Sequence, residues 1–144
     1  MSETSAREPS PALEGVLETV LYFEDQDRAE LFYTDVLGMR LISKQPDYWL
    51  FFRAGDSVFL LFDAAVTGRG EGLPTHGTTG PGHVCFLVDP ASYEQWKRWL
   101  EDHDVEILQE VSWPGAEGRN LSSFYFRDPD GNLLEIADGD LWPR

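Results

Sequence analysis

Three ionisable side chains interrupt short apolar runs of the sequence: Glu18 in VLETVLYF, His83 at the start of HVCFLV, and Glu135 in LLEIA. A carboxylate in an apolar strand is costly to bury unless it is paired, hydrogen-bonded or bound to a metal ion. Alternate residues of a strand share a face, so the three side chains converge if their faces line one cup. One imidazole and two carboxylates suit a borderline-to-hard divalent ion and leave positions for water and substrate. The pattern predicts a catalytic metal site; the alternatives are an exposed Glu18, a structural His83, or no metal at all.

Four further residues are candidates for catalysis or substrate binding. His76, in the glycine-rich stretch LPTHG, could approach the metal or act as an acid–base group together with Glu135, unless it is a solvent-exposed loop histidine. Arg119 in GAEGRN could clamp a substrate carboxylate or phosphonate, with an ordinary surface arginine as the alternative. Trp49 and Trp113 are expected to bind substrate by lining an apolar cup, although most aromatic residues should belong to the core.

The first half of the chain predicts the order β-α-β-β-β. Residues 16–23 are rich in β-branched and aromatic residues, as a strand requires. Apolar residues at the i, i+3, i+4, i+7 spacing then predict an amphipathic helix over 25–37. Three short apolar strands follow, and the turn pairs Pro46-Asp47 and Gly55-Asp56 separate them.

The second half repeats this order after a glycine-rich loop, 67–81. Its predicted strand, helix, strand and hairpin cover residues 83–88, 90–103, 105–113 and 122–138. Laying the two halves over each other puts Glu18 over His83 and Leu60 over Glu135. The repeat predicts an α+β fold of two β-α-β-β-β modules, 14–66 and 82–140, forming a curved mixed sheet around a cup-shaped cavity.

The composition excludes several classes of protein. The 144 residues suffice for one domain, and the single cysteine, Cys85, excludes a disulfide framework; we expect it to be buried and inert. Neither a transmembrane helix nor a secretory signal is evident, so we expect a cytoplasmic protein with residues 1–13 as a disordered tail. The net charge of −15 disfavours nucleic acid and anionic membranes as partners; it is typical of a halophilic source, or simply of an acidic protein.

Two segments resemble the vicinal oxygen chelate superfamily, which includes glyoxalase I, extradiol dioxygenases, fosfomycin-modifying thiol transferases and bleomycin-binding proteins. Residues 25–38, with the ending FYTDVLG, resemble the first helix of those proteins, and FRDPDGNLLE (126–135) resembles their last hairpin. With the repeat, the resemblance covers about residues 14–140. It implies that two modules close a cup with a divalent metal at its floor. It also implies a homodimer, since members commonly dimerise.

The resemblance assigns metal binding to Glu18, His83 and Glu135, whereas the family's fourth ligand position falls on Leu60, which cannot bind a metal. This departure argues against ordinary methylglyoxal chemistry, and the glutamate at position 18 fits neither the dioxygenases nor the fosfomycin enzymes cleanly. The implied cofactor is a divalent ion: Mn, Fe, Ni, Zn or Mg.

We therefore expect a metal-dependent lyase, isomerase or oxygenase of the glyoxalase/dioxygenase type that acts on a small oxygenated substrate. The alternative is a metal-free protein that sequesters a small molecule such as bleomycin, which the acidic charge and the aromatic residues would suit. A metal-bound protein that senses or stores and does no chemistry is a third interpretation.

Overall fold

The elements of the computed structural model follow the order β-α-β-β-β twice; the structure describes residues 9–69, 72–114 and 120–142. The strands are β1 (Glu18–Phe23), β2 (Arg40–Gln45), β3 (Trp49–Ala54), β4 (Ser57–Asp63), β5 (His83–Leu87), β6 (Gln109–Pro114), β7 (Asn120–Arg127) and β8 (Leu133–Ala137). The helices are α1 (Gln26–Leu31), α2 (Ala64–Thr67) and α3 (Tyr93–Asp102), and a 3₁₀ turn, Pro90–Ser92, precedes α3. None of the helices in these ranges is long and apolar enough to cross a membrane.

The strands form two four-stranded mixed sheets with the same topology. Sheet 1 has the order β1-β4-β3-β2 and sheet 2 the order β5-β8-β7-β6; only the first pair in each sheet is parallel. The register is also repeated, because Val20 lies opposite Leu60 in sheet 1 and Cys85 lies opposite Glu135 in sheet 2. The predicted fold of two repeated modules is therefore confirmed, with Leu60 and Glu135 at equivalent positions.

The first helix differs from the prediction of one regular helix over 25–37. Asp25 caps α1 by accepting a hydrogen bond from the Arg28 backbone N–H, but α1 ends at Leu31 and a π-helical turn, Phe32–Val36, continues it. The Thr34 hydroxyl donates to the Glu30 carbonyl at 2.7 Å. A side chain that bonds a carbonyl of the preceding turn competes with the regular helical hydrogen bond, which accounts for the wider turn.

The strand predicted over 105–113 starts later than its sequence suggests. Val105 lies just after the end of α3, and its backbone N–H donates to the Leu100 carbonyl at 2.9 Å. The β6 strand begins at Gln109, opposite Tyr125 of β7. Val105 and Ile107 therefore pack against the core, and residues 105–108 connect α3 to the sheet before strand pairing begins.

One hydrophobic core lies between the inner faces of the two sheets and the helices. Aromatic contacts join the modules across it: the rings of Phe59 and Phe86 are 5.8 Å apart, and those of Phe32 and Phe126 are 6.5 Å apart. Strand alternation directs the other residues of each sheet away from this core. The outer face of sheet 1 carries Glu18, Val20, Tyr22, Trp49, Phe51, Arg53, Leu60 and Phe62. The outer face of sheet 2 carries His83, Cys85, Trp113, Ser123, Tyr125 and Glu135.

The turn between β7 and β8 joins the two modules. The buried Asp128 accepts a hydrogen bond from the Tyr33 hydroxyl at 2.7 Å. The Asn132 amide donates to the Tyr22 carbonyl at 3.1 Å and accepts from the Gly82 N–H at 2.8 Å. The predicted hairpin therefore also fixes the start of β5 and the end of β1 relative to β8, the strand that carries the central carboxylate.

Candidate metal centre

His83 and Glu135 lie side by side on the outer face of sheet 2. Their strands, β5 and β8, are parallel neighbours, and His83 Nε2 is 3.3 Å from Glu135 Oε1. The Glu135 residue is only 5% exposed, whereas the imidazole is half-exposed. The other ring nitrogen of His83, Nδ1, is 2.8 Å from the Leu133 carbonyl oxygen. The structure thus brings together two of the three predicted metal ligands.

The hydrogen bond to Leu133 determines what His83 presents to Glu135. A carbonyl oxygen only accepts, so Nδ1 must carry a proton and donate it. A neutral His83 then directs the lone pair of Nε2 at the carboxylate oxygen of Glu135. Two acceptors at this distance repel each other unless a proton or a metal cation lies between them. Ligands about 2.0–2.2 Å from one ion are roughly 3 Å apart when they coordinate at right angles, so this pair fits a divalent metal.

Two further side chains lie directly opposite Glu135 on the neighbouring strands. Cys85 lies directly opposite Glu135 on β5; it was expected to be buried, but the residue is exposed. Partial burial of its thiol group, and next the charge of Glu135, raise the pKa of the thiol to about 12. Tyr125 lies opposite Glu135 on the other side, and burial followed by the charge of Glu135 raises the pKa of its hydroxyl. Both groups therefore stay protonated at neutral pH beside the carboxylate. The length of the hairpin turn could have predicted the Tyr125 position, since it sets the register of β7 against β8.

Glu18, the third predicted ligand, lies on the other sheet. It is exposed at the first position of β1 and makes no hydrogen bond or ion pair with the residues that the structure describes. Leu60, at the equivalent of Glu135, is 6% exposed and places an apolar side chain where a fourth ligand would sit. Within the described part of a single chain, no three His, Cys, Asp or Glu side chains lie close enough to hold a metal.

His76, the predicted acid–base residue, lies over the outer face of sheet 1. Its Nδ1 is 2.7 Å from the Tyr22 hydroxyl oxygen, and its ring meets that of Phe62 edge-on at 5.0 Å. Burial raises the pKa of the Tyr22 hydroxyl. Tyr22 is four residues from Glu18 on the same face of β1, so His76 is placed on the side of sheet 1 that carries the candidate ligand.

The candidate substrate-binding tryptophans lie on different sheets. Trp49 stacks on Phe51 in sheet 1, and its indole N–H donates to the Ser43 hydroxyl at 2.9 Å. Trp113 lies on the outer face of sheet 2 and donates in the same way to the Ser123 hydroxyl, at 2.8 Å. Both rings are therefore held at fixed positions on outer faces. Arg119 lies outside the described residues.

The chain matches a family model described as the Glyoxalase/Bleomycin resistance protein/Dioxygenase superfamily over residues 15–136. It therefore belongs to this family, the vicinal oxygen chelate superfamily, and the resemblance drawn from the first helix and the last hairpin is confirmed.

Several proteins named for enzyme activities are similar to this chain. A crystal structure of lactoylglutathione lyase from Agrobacterium tumefaciens has 36% sequence identity to this chain and a TM-score of 0.84. The match covers 93% of this chain and 100% of that one. The metallothiol transferase FosB of Staphylococcus saprophyticus is 28% identical over 113 residues, which are 78% of this chain and 69% of that protein. Lactoylglutathione lyase of Schizosaccharomyces pombe is 27% identical, and the match spans 83% of this chain but 45% of that protein. These relatives support a metal-dependent enzyme of the superfamily and leave its substrate open.

Proposed function

We propose that this chain is an enzyme that binds a small substrate through two neighbouring oxygen atoms at a divalent ion held by His83, Glu135 and Glu18. The observation that carries the proposal is the opposition of His83 Nε2 and Glu135 Oε1 at 3.3 Å, with the other ring nitrogen committed to the Leu133 carbonyl. This arrangement is favourable with a cation between the two atoms and unfavourable for a neutral imidazole without one.

We further propose that Glu18 reaches the site from a second copy of the chain. In one chain Glu18 has no partner among the described residues and lies on sheet 1, while His83 and Glu135 lie on sheet 2. In a symmetric homodimer, sheet 1 of each copy would face sheet 2 of the other and complete two equal sites. The partly exposed Trp49 and Trp113 would then lie on facing surfaces around the bound substrate.

The surrounding residues orient the ligands and supply acid–base groups. When bound, the divalent ion acts as a Lewis acid that stabilises negative charge on a substrate oxygen. The Leu133 carbonyl keeps the His83 lone pair on Nε2, and the protonated Cys85 and Tyr125 flank the Glu135 carboxylate. When the Tyr22 hydroxyl donates to His76 Nδ1, the remaining ring proton is on Nε2, from which it can be exchanged with substrate.

Metal affinity tests the ligand assignment. We expect the parent protein, titrated with Mn(II) or Ni(II) by calorimetry, to bind metal, and His83→Ala and Glu135→Gln to weaken binding by at least ~10–100-fold. The control Glu110→Gln makes the same charge change on β6, where Glu110 bonds Tyr93 on α3, and should leave affinity unchanged. Equal binding by all variants would contradict the ligand assignment, and no binding by the parent would contradict the proposal and favour the metal-free binding protein.

A mixing experiment tests whether the site is shared between copies. Glu18→Gln and His83→Ala homodimers each lack one ligand at both sites. If the sites are shared, a heterodimer of the two variants contains one intact site and one doubly altered site. We therefore expect mixed and re-equilibrated variants to recover tight binding of up to one metal per heterodimer. No recovery, although heterodimers form, would place all three ligands within one chain.

A further inference from the structure

Two arginines stand opposite each other on sheet 1. Arg40 of β2 is the register partner of Arg53 of β3, and Arg53 is in turn paired with Val58 of β4. Val58 is paired with Glu18 of β1, so the four residues form one row across the sheet. Because Phe52 points into the core, its neighbour Arg53 lies on the outer face with Glu18.

This arginine pair is unfavourable as it stands. Like charges directly opposite on neighbouring strands destabilise a sheet, since their Cβ atoms are only ~5 Å apart. Neither guanidinium makes a hydrogen bond or ion pair with a described residue, although the chain has 26 acidic residues. Both lysines, in contrast, are paired: Lys44, also on β2, bonds Glu30 at 2.6 Å, and Lys97 bonds Glu110 at 2.9 Å. An anion shared by the two arginines would remove their repulsion.

The row places this positive charge near the proposed metal site. Glu18 and Arg53 are two strand spacings apart, ~10 Å between backbones, a distance that the long arginine side chain partly spans. A cavity of about 590 Å³ adjoins this end of the sheet, but inner-face residues such as Phe59, Phe86 and Ile136 form most of its lining, and of the four residues in the row only Arg53 and Val58 line it. The outer face beside Arg53 and Glu18 is therefore open, and the proposed anion would lie on this open surface.

We propose that Arg40 and Arg53 clamp an oxyanion, a carboxylate or phosphonate, carried by the substrate whose neighbouring oxygens go to the metal. Guanidinium groups present paired N–H donors that match the two oxygens of such an anion. This inference rests on the proposed function. It makes the substrate class a small anionic compound with vicinal oxygens, and it makes the arginine pair the determinant of that specificity.

A matched pair of chelators tests the clamp on the Mn(II)-loaded protein. Catechol and 3,4-dihydroxybenzoate present the same two oxygens and differ by one carboxylate. We expect calorimetry to show roughly tenfold tighter binding of the dihydroxybenzoate by the parent, and loss of this preference in the Arg40→Gln/Arg53→Gln double variant. Catechol affinity should not change. Arg98→Gln, on the exposed side of α3, is the control for a lost arginine and should keep the preference.

The outcomes separate the clamp from the metal site. A parent that binds both chelators equally would overturn the clamp and leave the proposed function standing. For metal-free protein at constant ionic strength, we expect inorganic phosphate to raise the melting temperature of the parent but not of the double variant; this arm does not depend on the metal. If the double variant instead dissociates the dimer and keeps the anion preference, the arginines pair with acidic residues of the second copy, and the clamp is wrong.

Discussion

Replacing Tyr33 with phenylalanine removes a single hydroxyl from a fully buried ring. That hydroxyl donates to Asp128 Oδ2 at 2.7 Å, and Asp128 is itself only 5% exposed. Burial, and next the charge of Asp128, raise the pKa of Tyr33 well above its usual value, so the hydroxyl keeps its proton and remains a donor. The bond ties the helical segment of the first module to the hairpin that leads into β8.

The structure sets the expected cost of Tyr33→Phe. A hydrogen bond to a charged group contributes about 1.5–3 kcal/mol. Asp128 keeps three other donors at 2.9 Å: the backbone N–H groups of Asp130 and Asn132 and the Asn132 side-chain amide. The carboxylate is therefore not left bare, and we expect the lower part of the range, about 1.5–2 kcal/mol. For a chain of this length the melting temperature should fall by roughly 5–8 °C.

Tyr93→Phe is the matched control. The Tyr93 hydroxyl also donates at 2.7 Å to a carboxylate, that of Glu110, but this side chain is 42% exposed and already paired with Lys97. Water can replace the lost donor, so we expect a cost of about 0.5–1 kcal/mol. Urea unfolding of both variants at pH 7 measures the difference. If Tyr93→Phe costs as much as Tyr33→Phe, burial of the acceptor does not set the strength of these bonds and the reasoning is refuted.

Two further predictions concern other carboxylates, and a third introduces a carboxylate at Leu60. The hydrogen bond from Lys97 lowers the pKa of Glu110 in the folded protein. The stability that this bond adds is therefore present above the unfolded-state pKa of Glu110 and is lost as the pH falls. In urea unfolding, Glu110→Gln should cost about 0.5 kcal/mol at pH 7 and nothing near pH 3. Burial raises the pKa of Asp130, and its Oδ2 has no hydrogen-bond partner among the described residues. Asp130→Asn should therefore stabilise the folded protein by about 0.5 kcal/mol at pH 7, and this gain should disappear in acid, where Asp130 itself is protonated. Leu60→Glu should tighten metal binding by adding a fourth ligand. It should also lower the melting temperature of the metal-free protein, because position 60 is buried and the variant places a charge there. An unchanged metal affinity would place Leu60 outside the site.

Most of the fold follows from local patterns in the sequence. Turn residues such as Gly55 and the stretch 128–131 delimit short strands, and the length of each turn sets the register of the hairpin around it. The two halves carry the same pattern, which is why aligning them already put Leu60 over Glu135. The elements that differed did so through single contacts: the Thr34 hydroxyl on the Glu30 carbonyl widens the first helix, and the packing of Val105 against the end of α3 delays β6.

The site was only partly predictable for a different reason. Strand alternation placed His83 and Glu135 on one face and gave a reason to expect a metal there. It also gave Cys85 the same face, but it could not show that this face points away from the core, so the cysteine was expected to be buried. Which face of a sheet is covered depends on where the helices and the other module pack.

By itself, then, the sequence determined the repeated order of elements, the residues that alternate on each strand, and the apolar strands that carry a carboxylate or imidazole. Only the tertiary structure decided that Glu18 lies on a different sheet from His83 and Glu135, and that Tyr33 reaches across to Asp128. These relations join residues far apart in the chain. They depend on how the modules pack against one another, which the period of a strand or a helix does not encode.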